Sequence, residues 1–305
     1  MTIAELNARF GIPNMLHFLP GQGGLTCADI TTPAAAGRIY LHGAHITHWQ
    51  PLGHQPVLHT SGAAIFAPGK PIRGGVPICH PWFGPATLGP RAGDTFAPAH
   101  GIVRTLPWNC ENTKQHPNGG VTITLALVSD DITRPQWPFD FTLRLQATFG
   151  RTLVMELETT NTGPSAMPLE EALHTYLAVG DVRQIKIEGL DGAEYLDKTD
   201  KLARKPQSGA ISFAAETDRA YLNTTTTCRL DDPVLRRTIT VAKAGSNSTV
   251  VWNPEAGRAA HLTDIGQGEW PLFACIETAN ISENRLNLAP GETHRMTAEI
   301  AALGW

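Results

Sequence analysis

Short runs of alternating apolar and polar residues recur along this chain and restrict its fold more than any other feature. The two clearest runs occupy residues 141–149 and 152–159, and Gly150 and Arg151 join them as in a hairpin. Alternation with a period of two gives a β-strand one apolar and one polar face. Weaker runs lie at residues 38–49, 121–128, 184–188, 238–242, 249–252 and 293–300. We therefore predict an all-β chain that forms a large antiparallel sandwich.

Little else in the sequence departs from this pattern. Thr2 and Glu5 have the spacing of a capping box, so one short helix is expected at about residues 2–10. Pro and Gly are frequent between residues 68 and 98, which predicts an ordered loop over a cleft rather than a central strand. No shift in composition and no internal repeat indicates a domain boundary. Residues 1–305 are therefore predicted to form a single domain.

Composition argues against several classes of function. The net charge is −4 and no basic block occurs, so nucleic acid is not an expected partner. The five cysteines are scattered and odd in number, which predicts reduced, buried thiols. No leader pattern and no long apolar stretch is found. We expect a soluble, cytoplasmic monomer with no membrane partner.

Three regularly spaced histidines do not predict a metal site. His42, His45 and His48 alternate between the two faces of a strand, so His45 points away from the other two. Ordinary strand histidines are the favoured interpretation. The chain also has no phosphate-binding glycine loop and no G-x-S-x-G serine elbow. We therefore expect neither a metal nor another cofactor.

Three segments carry groups suited to acid–base chemistry or anion binding. Arg73 precedes two glycines, so its guanidinium and nearby backbone N–H groups could bind one anion, although a turn arginine satisfied by carbonyls is an equal alternative. His100 precedes a glycine and lies four residues before Arg104. His174 and Glu277 interrupt strand-like runs, where an ionisable group needs a partner or a function. A buried, structurally paired carboxylate is the alternative for Glu277.

Five strings in one order resemble the D-hexose-6-phosphate mutarotase family, also called glucose-6-phosphate 1-epimerases. The likeness runs from about residue 35 to the C-terminus. The strings are Lys70-Pro-Ile-Arg73-Gly-Gly-Val-Pro, His100-Gly-x-x-Arg104, Leu173-His174-Thr-Tyr, Asp218-Arg-x-Tyr221 and Glu277-Thr-Ala-Asn280. The resemblance implies a galactose-mutarotase-like β-supersandwich with few short helices, and an isomerase that interconverts the α and β anomers of a hexose 6-phosphate.

The resemblance also implies a role for each matching residue. It makes His174 and Glu277 the catalytic pair, with His100 as a helper near the ring oxygen. It places Arg73, Arg104 and Asp218 on the sugar phosphate. Trp82 and Phe83 are hypothesised to offer an apolar face to the sugar ring.

Two departures from the family pattern bear on this transfer. Members often have glutamine where this chain has Ala99 and an aromatic residue where it has His80, so one sugar hydrogen bond is expected to be missing or relocated. Two other functions fit the same residues. One is an aldose 1-epimerase that acts on unphosphorylated sugars, and the other is a non-catalytic carbohydrate-binding protein.

Overall fold

The computed structural model describes the backbone of residues 1–305 and every side chain except that of residue 90. Two α-helices occur in this part of the chain: α1 (Ile3–Phe10) and α2 (Glu255–Ala259). Thr2 caps α1 and forms the predicted capping box with Glu5. None of the described helices has the length and apolarity needed to cross a membrane.

Strands account for most of the remaining regular structure. In chain order they are β1 (Leu16–Pro20), β2 (Thr26–Thr31), β3 (Ala35–Tyr40), β4 (His45–Pro51), β5 (Ile78–Cys79), β6 (Asn109–Gln115), β7 (Val121–Val128), β8 (Phe141–Phe149), β9 (Leu153–Asn161), β10 (Met167–Leu169), β11 (Glu171–Leu173), β12 (Tyr176–Ala178), β13 (Lys186–Glu188), β14 (Glu194–Asp197), β15 (Ala203–Pro206), β16 (Thr217–Leu222), β17 (Cys228–Asp232), β18 (Arg237–Ala244), β19 (Ser248–Asn253), β20 (Phe273–Asn280), β21 (Leu286–Leu288) and β22 (Thr293–Gly304). The prediction of an all-β chain is confirmed.

Two eight-stranded sheets dominate the fold. The front sheet has the order β15-β14-β16-β19-β20-β11-β5, and β12 also pairs with β20. The back sheet has the order β13-β17-β18-β22-β9-β8-β7-β6. Strands β1 to β4 form a separate four-stranded sheet, and β10 pairs with β21. All named strand pairs are antiparallel, as the sandwich prediction requires.

Apolar side chains from both large sheets share one core. Leu145 and Leu157 of the back sheet belong to the same buried cluster as Ala274 and Ile276 of β20. Because side chains alternate across a strand, the residues between and after Ala274 and Ile276 face the opposite side of the front sheet. That outer face carries the ionisable groups considered below.

One local prediction needs correction, and a second gains a detail. The run at residues 38–49 is not one strand, because the chain turns between β3 and β4, where Gly43 and Ala44 have φ values of 71° and 48°. The segment from residue 68 to residue 98 contains strand β5, which lies at the edge of the front sheet and pairs only with β11 among the named strands. An edge position tolerates the surrounding prolines, since one side of the strand forms no ladder.

Candidate active site

Glu277 lies in the interior of β20, where it pairs in register with Val250 of β19. Its side chain is only 1% exposed. Cys275, two residues earlier, packs with Phe273 and Tyr176 on the outer face of the front sheet. Glu277 therefore sits against apolar groups, as alternation along the strand predicted.

His174 does not lie within a strand, contrary to the sequence interpretation. It falls in the short break between β11 and β12, where the Thr175 N–H donates to Leu173 O at 2.9 Å. Its backbone N–H donates to Pro77 O at 3.0 Å instead of joining a regular ladder. The ring stacks on Tyr176 at 4.8 Å between centroids and meets Trp252 edge-on at 5.9 Å. The contacts with these two aromatic rings restrict the orientation of the imidazole.

The two predicted catalytic groups face one another. His174 Nε2 lies 3.4 Å from Glu277 Oε1, and both side chains are almost completely buried. Glu277 Oε2 and His174 Nδ1 have no hydrogen-bond partner among the described residues. Buried polar atoms are normally hydrogen-bonded, because an unsatisfied one costs about 1–3 kcal/mol. Unpartnered atoms at this point are what a polar ligand would satisfy.

The electrostatic surroundings push this pair towards its uncharged form. Burial raises the pKa of Glu277 well above its usual value, although Lys198 acts in the opposite direction. Burial lowers the pKa of His174 well below its usual value, and Arg73, Arg104 and Lys198 lower it further. The direction for Glu277 agrees with the sequence prediction. The prediction for His174 assumed an ordinary imidazole and did not include the three nearby cations.

His100 extends the cluster on its other side. Its ring centroid lies 5.4 Å from that of His174, in an edge-on arrangement. Nδ1 accepts a hydrogen bond from the Gly84 backbone N–H at 3.3 Å and lies 3.4 Å from Cys79 Sγ. Burial, followed by the charge of Arg104, lowers its pKa well below the usual value. A neutral ring that accepts at Nδ1 carries its proton on Nε2, so Nε2 can donate a hydrogen bond to a ligand.

Arg73 has partners that the sequence did not reveal. Its guanidinium donates to the Tyr176 hydroxyl at 3.0 Å and forms an ion pair with Asp264 at 3.0 Å. The N–H of Gly75 is used by the fold, since it donates to His59 O at 2.6 Å. The Gly75 N–H is therefore not free to donate to an anion. Gly75 serves close packing instead, because a Cβ there would lie 2.2 Å from Ile46 O.

Arg104 lies on a short 3₁₀ turn at Val103–Thr105. It donates to the carbonyl of Ala99 at 2.7 Å, and the charges of Arg73 and Arg104 both act on His174. Burial lowers the pKa of Arg104. Both predicted phosphate-binding arginines thus lie within electrostatic reach of the His174–Glu277 pair.

Lys198 is a site residue that sequence reasoning missed. Its ammonium lies 3.1 Å from Asp218 Oδ1 and 4.4 Å from the centroid of the Phe83 ring. Asp218 Oδ1 has no hydrogen-bond partner in the described chain, so the contact is an ion pair without a well-aligned hydrogen bond. Lys198 follows β14 in a turn, and nothing in the local sequence distinguishes it from an exposed turn lysine.

Phe83 and Trp82 have different environments, although both were hypothesised to face the sugar ring. Phe83 packs edge-on against His100 with a centroid distance of 4.8 Å. Trp82 is 0% exposed, donates to Pro98 O and packs against Trp137 in the main core. The prediction that Trp82 faces the sugar is wrong. Trp82 anchors the loop from beneath, whereas Phe83 faces the cluster.

The two positions that depart from the family pattern, His80 and Ala99, also have different environments. His80 is fully buried and packs against Phe141 with a centroid distance of 5.3 Å. Burial lowers its pKa to about 3, so its ring is neutral. His80 therefore belongs to the core. Ala99 lies beside Arg104 and is the departure that can remove a hydrogen bond from the site.

Other candidate cavities and histidines do not converge on this cluster. A cavity of about 690 Å³ lies beside it and shares the walls Phe83 and Lys198, but its lining does not include His174 or Glu277. His42 and His45 bind the carbonyls of Lys70 and Gly74, each at 2.7 Å. Among the described residues, the group that could hold a metal consists of His174, Cys275 and Glu277.

Comparison with known proteins identifies the family of this chain. The family model for aldose 1-epimerase matches residues 29–301. A Salmonella typhimurium protein named "Putative glucose-6-phosphate 1-epimerase" is 36% identical over 247 residues, which are 81% of this chain and 80% of that protein.

Solved structures show the same fold. The crystal structure of a putative mutarotase from Salmonella typhimurium has a TM-score of 0.88 and 31% identity, covering 99% of each chain. A galactose mutarotase-like protein from Clostridium acetobutylicum has a TM-score of 0.71 and 12% identity, covering 95% of this chain and 98% of that one. The predicted galactose-mutarotase-like fold and the family resemblance are confirmed. The chain belongs to the aldose 1-epimerase family and is an epimerase of the galactose-mutarotase-like fold.

Proposed function

We propose that this protein interconverts the α and β anomers of a hexose 6-phosphate by opening and reclosing the sugar ring. The observation that carries the proposal is the His174–Glu277 pair, 3.4 Å apart, buried, and with one polar atom of each side chain unpartnered. A carboxylate and an imidazole at this separation can reach the anomeric hydroxyl and the ring oxygen of one pyranose. The relatives named as glucose-6-phosphate 1-epimerases support the choice of substrate.

The reaction needs one base and one acid. The Glu277 carboxylate takes the proton from O1, and the C1–O1 bond becomes the aldehyde double bond as the C1–O5 bond breaks. The His174 imidazolium gives its proton to O5. Rotation about C1–C2 turns the other face of the aldehyde towards the O5 hydroxyl. Reclosure returns the protons, from O5 to His174 and from Glu277 to O1. Each proton transfer of this kind contributes roughly 10²- to 10⁴-fold to the rate.

Burial favours ring opening in this scheme. After opening, Glu277 is protonated and His174 is neutral, and this is the uncharged state towards which burial shifts both pKa values. The starting ion pair needs support instead. Lys198 supplies it for the carboxylate, because its charge opposes the upward shift of the Glu277 pKa. A bound phosphate dianion would support the imidazolium by offsetting Arg73 and Arg104, both of which lower the His174 pKa.

The remaining residues position the substrate in this proposal. Arg73 and Arg104 bind the 6-phosphate, since guanidinium groups match phosphate oxygens in pairs. Asp218 accepts hydrogen bonds from sugar hydroxyls, and His100 donates from Nε2 to the ring oxygen. The Asp264–Arg73 ion pair must then rearrange or share its guanidinium when the phosphate enters.

The same ion pair favours one alternative, an epimerase that acts on unphosphorylated sugars. An arginine already neutralised by Asp264 is less available to a phosphate. Exchange between anomers, measured by NMR on glucose 6-phosphate and on glucose, separates the two functions. We expect faster exchange for the phosphate ester. Equal rates on both sugars would contradict a phosphate site.

Arginine variants make this comparison specific. R73M and R104M should each raise KM for glucose 6-phosphate roughly 10- to 100-fold, because a charge-assisted hydrogen bond contributes about 1.5–3 kcal/mol. Their effect on glucose should be much smaller. R151M is a matched control, since Arg151 is exposed in a hairpin turn. The non-catalytic alternative predicts instead that the wild-type protein binds sugar without accelerating exchange above the rate in buffer.

A further inference from the structure

The proposed catalytic pair has a third neighbour that the epimerase reaction does not use. Cys275 is 0% exposed and lies two residues before Glu277, on the same face of β20. One ligand atom each from His174, Cys275 and Glu277 lie within 4.8 Å of one another. Imidazole, thiolate and carboxylate are each common ligands of Zn²⁺.

We propose that His174, Cys275 and Glu277 form an inhibitory site for a thiophilic divalent cation such as Zn²⁺, which occupies the position of the anomeric centre. The proposal rests on the proposed function, because inhibition requires that the same pair catalyse the reaction. The cation takes no part in catalysis.

The separations suit a tetrahedral ion. Ligands at about 2.0–2.3 Å from Zn²⁺ are separated from each other by roughly 3.3–3.7 Å in a tetrahedron. The His174 Nε2 to Glu277 Oε1 distance of 3.4 Å already has this value. Cys275 Sγ lies within 4.8 Å of one imidazole nitrogen of His174 and one carboxylate oxygen of Glu277, so a side-chain adjustment of about 1 Å closes the set. Three protein ligands leave the fourth position for water.

The charges in and around the site determine how strongly it can hold a cation. One thiolate and one carboxylate neutralise a divalent cation, which suits a buried position. The thiol must lose its proton to become a ligand, so binding releases protons and weakens in acid. Arg73 and Lys198 are positively charged and act electrostatically on members of this group, which opposes the cation. We therefore infer a reversible inhibitory site and not a permanently filled structural one.

Competition with the sugar follows from the location. His174 and Glu277 cannot ligate a cation and exchange protons with substrate at the same time. Zn²⁺ should raise the apparent KM for glucose 6-phosphate, and a chelator should restore the original rate. To measure the effect, each variant is titrated with Zn²⁺ at concentrations set by a metal buffer. The rate at each concentration is compared with the metal-free rate of the same variant.

Removal of the cysteine tests the ligand set. C275A should weaken inhibition by Zn²⁺ at least about 10- to 100-fold. A loss of this size occurs even when the residue removed only hydrogen-bonds to a metal ligand. C228A is the matched control, since Cys228 is a buried cysteine of β17 in the back sheet. C228A should keep the wild-type sensitivity. Equal sensitivity of C275A and wild type would overturn the proposal, and C275S provides the same comparison if C275A fails to fold.

A readout that does not depend on activity separates this proposal from the epimerase function. Co²⁺ added to the wild-type protein should give the absorption bands of a tetrahedral site with a thiolate ligand, and C275A should lack the thiolate band. These bands in a protein without anomer exchange would refute the epimerase function and leave the metal site standing. An active protein that shows neither the bands nor Zn²⁺ inhibition would refute the metal site alone.

Discussion

Lys198 Nζ lies 3.1 Å from Asp218 Oδ1 at the edge of the outer face that carries Glu277. The ammonium also covers the Phe83 ring, with a distance of 4.4 Å to its centroid. These two contacts hold the Lys198 ammonium close enough to Glu277 for its charge to oppose the upward shift of the Glu277 pKa. A lysine exposed on the surface away from the cluster would not affect the pKa of a carboxylate in the middle of the sheet.

The first prediction concerns the pH dependence of K198M. Catalysis by one acid and one base gives a bell-shaped profile of kcat/KM, whose two limbs report macroscopic pKa values of the coupled pair. Lys198 lowers the pKa of Glu277 and also lowers the pKa of His174. Its removal therefore raises both values. The whole profile of K198M should move to higher pH, as measured by NMR exchange across the range in which the protein is folded.

Charge and side-chain packing can be separated in this experiment. K198R keeps the cation and should keep the wild-type profile, because only the positive charge is required. K186M is a suitable control, since Lys186 is exposed on β13 of the back sheet. A K198M profile with unchanged limbs would mean that the lysine has only a structural role. A loss of activity at every pH without a shift would lead to the same conclusion.

The second prediction concerns E277Q, which keeps the size of the side chain and removes its basic oxygen. The kcat for glucose 6-phosphate should fall by roughly 10²- to 10⁴-fold, the usual contribution of a general base. KM should change little, because binding is assigned to other residues. E188Q is the control, since Glu188 is exposed on β13. Substantial activity of E277Q would remove Glu277 from the mechanism.

Much of the back sheet could be predicted from the sequence. Strands β8 and β9 follow the predicted alternation closely, because the residues of one face are buried in the core and those of the other face are more exposed. The front sheet was harder to predict. All eight residues of β20 are buried, so its sequence has no polar face to reveal the period of a strand.

The candidate site likewise has features that could be predicted from the sequence and features that could not. The positions of His174, Glu277, His100 and the two arginines could be predicted from the resemblance, since short strings identify them. Their partners could not. Asp264, on a loop 191 residues after Arg73 in the chain, meets it only through the folded structure. Lys198 and Trp82 show the same limit, because a turn lysine and a loop tryptophan carry no local sign of whether they face a cleft or the core.

The third prediction compares the neighbours Trp82 and Phe83. W82F should lower the free energy of unfolding by about 1–3 kcal/mol, because it removes buried volume and the hydrogen bond to Pro98 O. Its KM should remain close to that of the wild type. F83L should show the reverse, a higher KM with little loss of stability, because Phe83 faces His100 and Lys198. Chemical denaturation and NMR exchange on the same preparations provide both measurements. An increase in KM for W82F without loss of stability would place Trp82 in the cleft after all.

The fourth prediction links the same carboxylate to stability. Burial raises the pKa of Glu277 in the folded protein above its value in the unfolded chain. Between these two values the folded state holds one more proton than the unfolded state, so stability falls as pH rises through this window. Above the folded-state pKa the full cost of a buried charge remains. Glutamine has no such charge, so E277Q should be more stable than the wild type at neutral pH.

Comparison at two pH values tests the cause of this difference. Near pH 4, below the usual pKa of a glutamate, both states of the wild type are largely protonated, and the two proteins should have similar stability. The gap should open as pH rises, in thermal or denaturant unfolding curves. E188Q should show no comparable gap, because Glu188 is exposed in the folded protein. A gap of constant size from acid to neutral pH would trace the gain to packing. The strain of an ionised carboxylate in the front sheet would then be excluded as its source.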